Sequence, residues 1–287
     1  MRNKILVTGA TGTIGSFLID NLRKKNVDFV TLVRDASKAE KLEKNGIQTV
    51  VGDLGDEKSL ISAMKDVGSI FLLSTTSPQS PELQGNVVKA AKAKGIKHIV
   101  KIAARGSSVD ADFNIGRWHG ITEKEIMGSG IPYTFIHAHS FMQNLFFDAG
   151  SIENENAIYS SQGDGRIPMV DARDIASVAA DVLTEPGHEG KTYVLTGPEA
   201  ISYYDIAREL SRLLGREISY IAQSAEDGYN AMLASGMPNW LVDDMTLLNK
   251  RYARNEAADV SPDLEIITGS KPIALHQFLK DFKNRFN

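Results

Sequence analysis

Short apolar runs alternate with amphipathic segments along the first half of the chain. Lys4–Val7, Phe29–Val33, Thr49–Val51, Ser69–Leu73, His98–Ile102 and Tyr133–Ile136 are apolar or β-branched with little polar alternation. Such runs read as strands buried on both faces, as in parallel sheets. Between them lie segments with helical spacing near residues 14–25, 37–45, 57–65, 81–94 and 116–127, and Gly95 closes the fourth. Repeated βα units with right-handed crossovers predict an α/β fold with a doubly wound parallel sheet.

After Ala138 this rhythm breaks. Residues 140–166 read as irregular and are expected to wrap over the site. A helix over 167–183 and a strand at Tyr193–Leu195 restore the alternation. Beyond Ser202 the chain is mainly helical, over 202–214, 225–235, 240–254 and 272–285, with a short strand at Ile218–Ile221. Ser202 and Ser224 are expected N-caps. The expected organisation is a doubly wound domain of residues 1–139 plus 167–197, and a smaller, mainly helical lobe of 140–166 plus 198–287.

The first strand runs directly into Thr8-Gly9-Ala10-Thr11-Gly12-Thr13-Ile14-Gly15, and a helix starts there. Strand, Gly-x-x-Gly-x-x-Gly turn and helix start form the context of a Rossmann-type dinucleotide loop. Gly9 permits the turn, Gly12 admits a pyrophosphate, and Gly15 lets helix and strand pack closely. Free N–H groups and the helix dipole favour the anion there. Thr8, Gly9, Thr11, Gly12, Thr13, Ile14 and Gly15 are therefore candidate cofactor residues.

Composition removes other classes. The 287 residues carry a net charge of −4, which offers no broad basic field for nucleic acid or an anionic membrane. There is no cysteine, so disulfides, thiolate metal sites and cysteine nucleophiles are excluded. The chain opens on a strand, and no apolar run reaches membrane-spanning length. The expectation is a cytoplasmic protein, monomer or homodimer, that acts on a small molecule.

Arg34 directly follows the second strand, where a basic residue meets a 2′-phosphate and an acidic one binds a ribose hydroxyl. Lys38 reaches the same place, and Asp35 reads as the N-cap of the next helix. NADP(H) is thus expected over NAD(H). Ser74, Thr75 and Thr76, after the fourth strand, are expected to line the cofactor channel.

These residues resemble the NmrA-like, atypical short-chain dehydrogenase/reductase family, in the subgroup of bacterial triphenylmethane reductases and NADPH quinone oxidoreductases. The resemblance rests on Val7–Gly15, Gly52-Asp53, Val87–His98, Gly130–Ile136, Asp171–Ala176 and Thr268–Pro272, and so spans nearly the whole chain. It implies an NADP-type cofactor, a flat, electron-poor acceptor such as a quinone or dye, and an adenine-contacting role for Asp53 and Leu54.

Typical members of the superfamily use Tyr-x-x-x-Lys as acid and base. None of the eight tyrosines here has lysine four residues on. That disfavours alcohol or ketone chemistry and a sugar-nucleotide epimerase. The corresponding helix carries His119 and Glu123, four apart on one face, and the resembled reductases have a similar pair. His119 fits either a proton donor or a structural hydrogen-bonding role; Glu123 fits an orienting partner or a solvated helix residue. His137 and His139 flank the end of the sixth strand, where His137 is expected at the cofactor. No third ligand stands near the two histidines, so no metal site is expected. Phe141, Met142, Phe146 and Phe147 are expected to wall the substrate pocket, with plain core as the competing role. Two functions fit: hydride transfer to the acceptor, or non-catalytic NADP(H) sensing.

Overall fold

The computed structural model describes residues 4–287. The chain divides into two compact units: residues up to Ala138 with Ile175–Val194, and His139–Asp174 with Leu195–Asn287.

In the first unit the elements alternate: β1 (Lys4–Val7), α1 (Thr13–Lys24), β2 (Phe29–Val33), α2 (Ala36–Glu43), β3 (Thr49–Val51), α3 (Glu57–Ala63), β4 (Val67–Leu72), α4 (Ser80–Lys94), β5 (His98–Ala104), α5 (Asn114–Ser129) and β6 (Tyr133–Ala138). The sheet order is β3-β2-β1-β4-β5-β6, continued at the edge by β8 (Lys191–Leu195). The pairings from β3 through β6 are parallel, with Val7 opposite Thr31 and Phe71. The order reverses at β1, so the crevice of the doubly wound sheet opens beside the β1–α1 turn. Leu6, Leu72, Ile70 and Ile99 are wholly buried in a core shared with Val87, Ala91 and Ile126. Side chains cap the second and third helices: Asp35 accepts from Lys38 N at 2.9 Å and Asp56 from Lys58 N at 3.0 Å.

The second unit holds a 3₁₀ helix (Met142–Asp148), α6 (Ala149–Glu155), β7 (Ala157–Ser160), α8 (Tyr203–Leu214), β9 (Ser219–Ala222), α9 (Ala225–Ala234), α10 (Asn239–Ala253), α11 (Asp263–Thr268) and α12 (Leu275–Asp281). Helix α7 (Ala172–Thr184) carries the chain back toward the first unit's β8. The expected irregular stretch 140–166 contains regular elements, and β7 pairs in parallel with β9. The expected helix over 167–183 starts only at Ala172, because Ile167 forms a β-bridge with Ile201. Ser202 and Ser224 cap α8 and α9. Ile158, Ile206, Leu210, Phe278 and Phe286 form this unit's core.

Candidate functional site

The β1–α1 turn is built from backbone. Gly9 has φ +67°, a conformation side chains disfavour, and a Cβ there would lie 2.9 Å from Leu73 O. Gly12 donates to Gly9 O at 3.0 Å and occupies the N-cap position of α1. No side chain caps α1, and its first turn carries no acidic residue. The N–H groups of that turn, at Thr13, Ile14 and Gly15, are therefore left for an external acceptor. A Cβ at Gly15 would fall 2.2 Å from Gly9 O, so helix and turn touch backbone to backbone. The cradle is a free helix N-terminus with little side-chain cover, and it fits a dinucleotide pyrophosphate.

A cleft of about 390 Å³ continues from this turn past the ends of β2, β3 and β4. Of the expected cofactor residues, Thr8, Gly9, Thr11, Arg34, Lys38, Asp53, Leu54, Ser74 and Thr75 line it. Ser77 and Leu83 line it as well and were not expected. Thr76 is not part of the lining, and Gly12, Thr13, Ile14 and Gly15 sit beside it at the helix start. The Thr8 hydroxyl is already engaged: it accepts from Leu73 N at 2.8 Å and donates to Leu73 O at 2.8 Å. That bond fastens β1 to the end of β4, so Thr8 shapes the wall. Gln84 Nε2 donates to Ser74 Oγ at 2.8 Å and fixes that hydroxyl at the cleft. Asp53 Oδ1 accepts from Gly55 N at 2.7 Å, which shapes the β3–α3 loop. Arg34 is exposed and holds no carboxylate among the described residues, whereas Lys38 lies 3.6 Å from Asp35. The guanidinium is free to meet an anion.

The helix–strand pairing differs from the expectation that Glu123 orients His119. Glu123 Oε1 lies 2.9 Å from His137 Nε2, and the carboxylate is buried. His119 Nδ1 instead lies 2.9 Å from Nζ of Lys101. Residues four apart share a helix face, but β6 approaches Glu123 while β5 approaches His119. His137 is thus held by Glu123 within the unit. Lys101 was not singled out from the sequence. It lies mid-β5 with no exposed surface. Burial pushes its amine down to about 7, against a small opposing pull from Glu123. Burial also holds His119 well below the ordinary histidine range, helped by the nearby Lys101 and His137.

The depressed lysine has a consequence for stability. Between the folded value near 7 and the ordinary 10.5, the unfolded chain binds the extra proton, so this group makes stability rise with pH across that window. Urea unfolding at pH 7.5 and 9.5 is expected to show a rise of up to about 1.4 kcal/mol per pH unit from this source. Lys101→Met is expected to remove that slope.

In the second unit the four residues expected to wall a substrate pocket do not form one surface. Met142 is buried in the core. Phe146 packs against Phe278, Phe282 and Phe286, with ring centroids 5.3–5.7 Å away. Phe147 is 89% exposed. Phe141 pairs its backbone with Val170. The cause is the 3₁₀ helix: its three-residue turn points Met142 and Leu145 inward together and turns Phe147 away. His139 is also committed, accepting from Ser140 N at 2.7 Å and meeting Ala257 O at 3.1 Å.

A glycine turn at a bare helix N-terminus, with a cleft at the carboxyl ends of parallel strands, defines a dinucleotide-binding α/β protein. A model of the NmrA-like family matches residues 1–283. The chain is 37% identical over 276 residues to an NAD(P)H azoreductase of Xenophilus azovorans, which covers 96% of each chain. It superimposes on an NADPH-dependent quinone oxidoreductase from Escherichia coli complexed with NADPH, with a TM-score of 0.89 at 31% identity, covering 98% of this chain and 100% of that one. The triphenylmethane reductase of Citrobacter sp. complexed with NADP(H) matches with a TM-score of 0.86 at 29% identity, covering 97% and 99%. The chain belongs to the NmrA-like family.

Proposed function

We propose that this protein is an NADPH-dependent reductase that delivers a hydride to a small, flat, electron-poor acceptor such as a quinone, a triphenylmethane dye or an azo dye. The observation that carries the reading is the bare N-terminus of α1 opening into a cleft lined by an exposed Arg34 that pairs with no carboxylate among the described residues. Full-length likeness to reductases solved with NADPH or NADP(H) supports it. NADPH bound here supplies the hydride. Backbone N–H groups from Thr13 to Gly15 bind the pyrophosphate. Arg34, with Lys38 behind it, takes the 2′-phosphate and sets the preference over NADH. Asp53 and Leu54 meet the adenine end, and Ser74 and Thr75 line the channel. His119, partly exposed on α5, is the proton donor, and Glu123 holds His137 in place.

No helix among the described residues is long and apolar enough to cross a membrane. The acceptor is taken to be a small molecule met in the cytoplasm by a monomer or homodimer. The test is NADPH oxidation against a panel of quinones, azo dyes and triphenylmethane dyes. Oxidation that requires the acceptor is expected. NADPH that binds but is consumed with no acceptor in the panel would replace this reading with a dinucleotide sensor.

A further inference from the structure

Lys101 is a wholly buried lysine that no carboxylate touches among the described residues. Its Nζ donates to the Ile102 carbonyl at 3.0 Å and stands 2.9 Å from His119 Nδ1. The nearest candidate counter-ion, Glu123, gives its bond to His137. Burying an uncompensated ammonium is costly, and methionine or leucine would fill a strand position at no such cost. In its ammonium form, below about pH 7, Lys101 has no lone pair, so in that contact it donates and Nδ1 accepts. A neutral ring that accepts at Nδ1 carries its own proton on Nε2.

We propose that Lys101 is a positioning residue and proton source that acts through His119. It holds the imidazole as the Nε2–H tautomer and replaces the proton that the ring gives to the acceptor. The inference rests on the reductase reading and extends it. A quinone or azo acceptor takes up a hydride, which brings both electrons, and one proton. As the N–H bond at Nε2 breaks and an acceptor O–H or N–H bond forms, Nδ1 takes a proton from the Lys101 ammonium. The ring stays neutral throughout, and Lys101 is left as a neutral amine that water recharges through the ring before the next turnover. The other titratable groups bearing on the pair are Glu123 from α5 and His137 from β6, while β4 places Leu72 opposite Lys101. The amine's depressed value near 7 suits it to give up a proton at neutral pH.

The dyes separate this role from a structural one. A cationic triphenylmethane dye takes a hydride alone at its central carbon and becomes neutral, with no proton consumed. The ratio of quinone to dye turnover therefore isolates proton delivery and cancels general losses. Lys101→Met is expected to lower that ratio by ten-fold or more, His119→Gln by a similar factor, and the double variant by no more than either. In the wild type, quinone turnover should fall as pH rises through about 7, and dye turnover should not share that inflection. Imidazole ¹⁵N resonances of the protein at pH 6, where Lys101 is an ammonium, should show a neutral His119 protonated at Nε2, a readout independent of turnover. Equal losses for quinone and dye, or a wild-type His119 protonated at Nδ1, would overturn the relay. Wild-type protein that reduces neither acceptor would overturn the reductase reading and the relay with it. The tautomer would still decide whether Lys101 donates to His119.

Discussion

Gly12→Val should give a folded protein that no longer binds NADPH, while Gly15→Val should strongly destabilise the fold itself. The two glycines are three residues apart and serve different ends. Gly12 has φ −85° and ψ 175°, which valine adopts freely. Its Cβ would meet one atom, Gly9 O at 3.2 Å, and a shift of a few tenths of an ångström relieves that contact. The two methyls would then stand over the N–H groups of α1 where the pyrophosphate must sit. At Gly15 a Cβ would lie 2.2 Å from Gly9 O and 2.8 Å from Gly9 C. Backbone meets backbone there, so no rotamer offers relief. Overpacking of this kind costs roughly 1–3 kcal/mol and occasionally more, a large share of a typical stability of about 5–15 kcal/mol. Thermal unfolding separates the cases: a near-normal transition for Gly12→Val, a strongly lowered one for Gly15→Val. Calorimetry should find no NADPH binding to Gly12→Val. Wild-type affinity in that variant would remove the pyrophosphate from this turn.

Arg34→Ala should weaken NADPH about ten- to hundred-fold and leave NADH nearly unchanged. Arg34 is exposed at the end of β2, and among the described residues no carboxylate pairs with it. A charge-assisted bond from a guanidinium to a phosphate is worth roughly 1.5–3 kcal/mol, which converts to that range of affinity. NADH lacks the 2′-phosphate and so has nothing to lose. Lys38 is shared with Asp35, so Lys38→Ala should produce a smaller change in the same direction. Dissociation constants for both cofactors, measured at one salt concentration, check this. An equal loss for NADPH and NADH would place the 2′-phosphate elsewhere.

What was legible in the sequence was local. Strands β1, β2, β4, β5 and β6 are short apolar runs because a parallel strand is covered on both faces, and that pattern needs no tertiary knowledge. The glycine turn was legible for the same reason, since its spacing encodes a backbone conformation. Strand β7 was missed. Its four residues, Ala157–Ser160, become a strand only because β9, some sixty residues later, lies beside them. Phe146 looked like a pocket wall because the rings that cover it, Phe278, Phe282 and Phe286, come from the far end of the chain. Pairing His119 with Glu123 used helix geometry correctly but could not include Lys101 or His137, which come from the neighbouring strands. Lys101 did leave a visible signal: a charge inside the apolar run Ile99-Val100-Lys101-Ile102. A lysine there must be buried, and a buried lysine invites the question of what it does.

Passage of a hydride from NADPH to an acceptor leaves an isotopic signature. It is tested most directly with NADPH deuterated stereospecifically at C4 and a cationic triphenylmethane dye, whose central carbon keeps any label it receives. One of the two C4-labelled forms should place a single deuterium on the reduced dye, and the other should place none. Tight NADPH binding with no label transferred from either form would show that this protein passes no hydride to the dye.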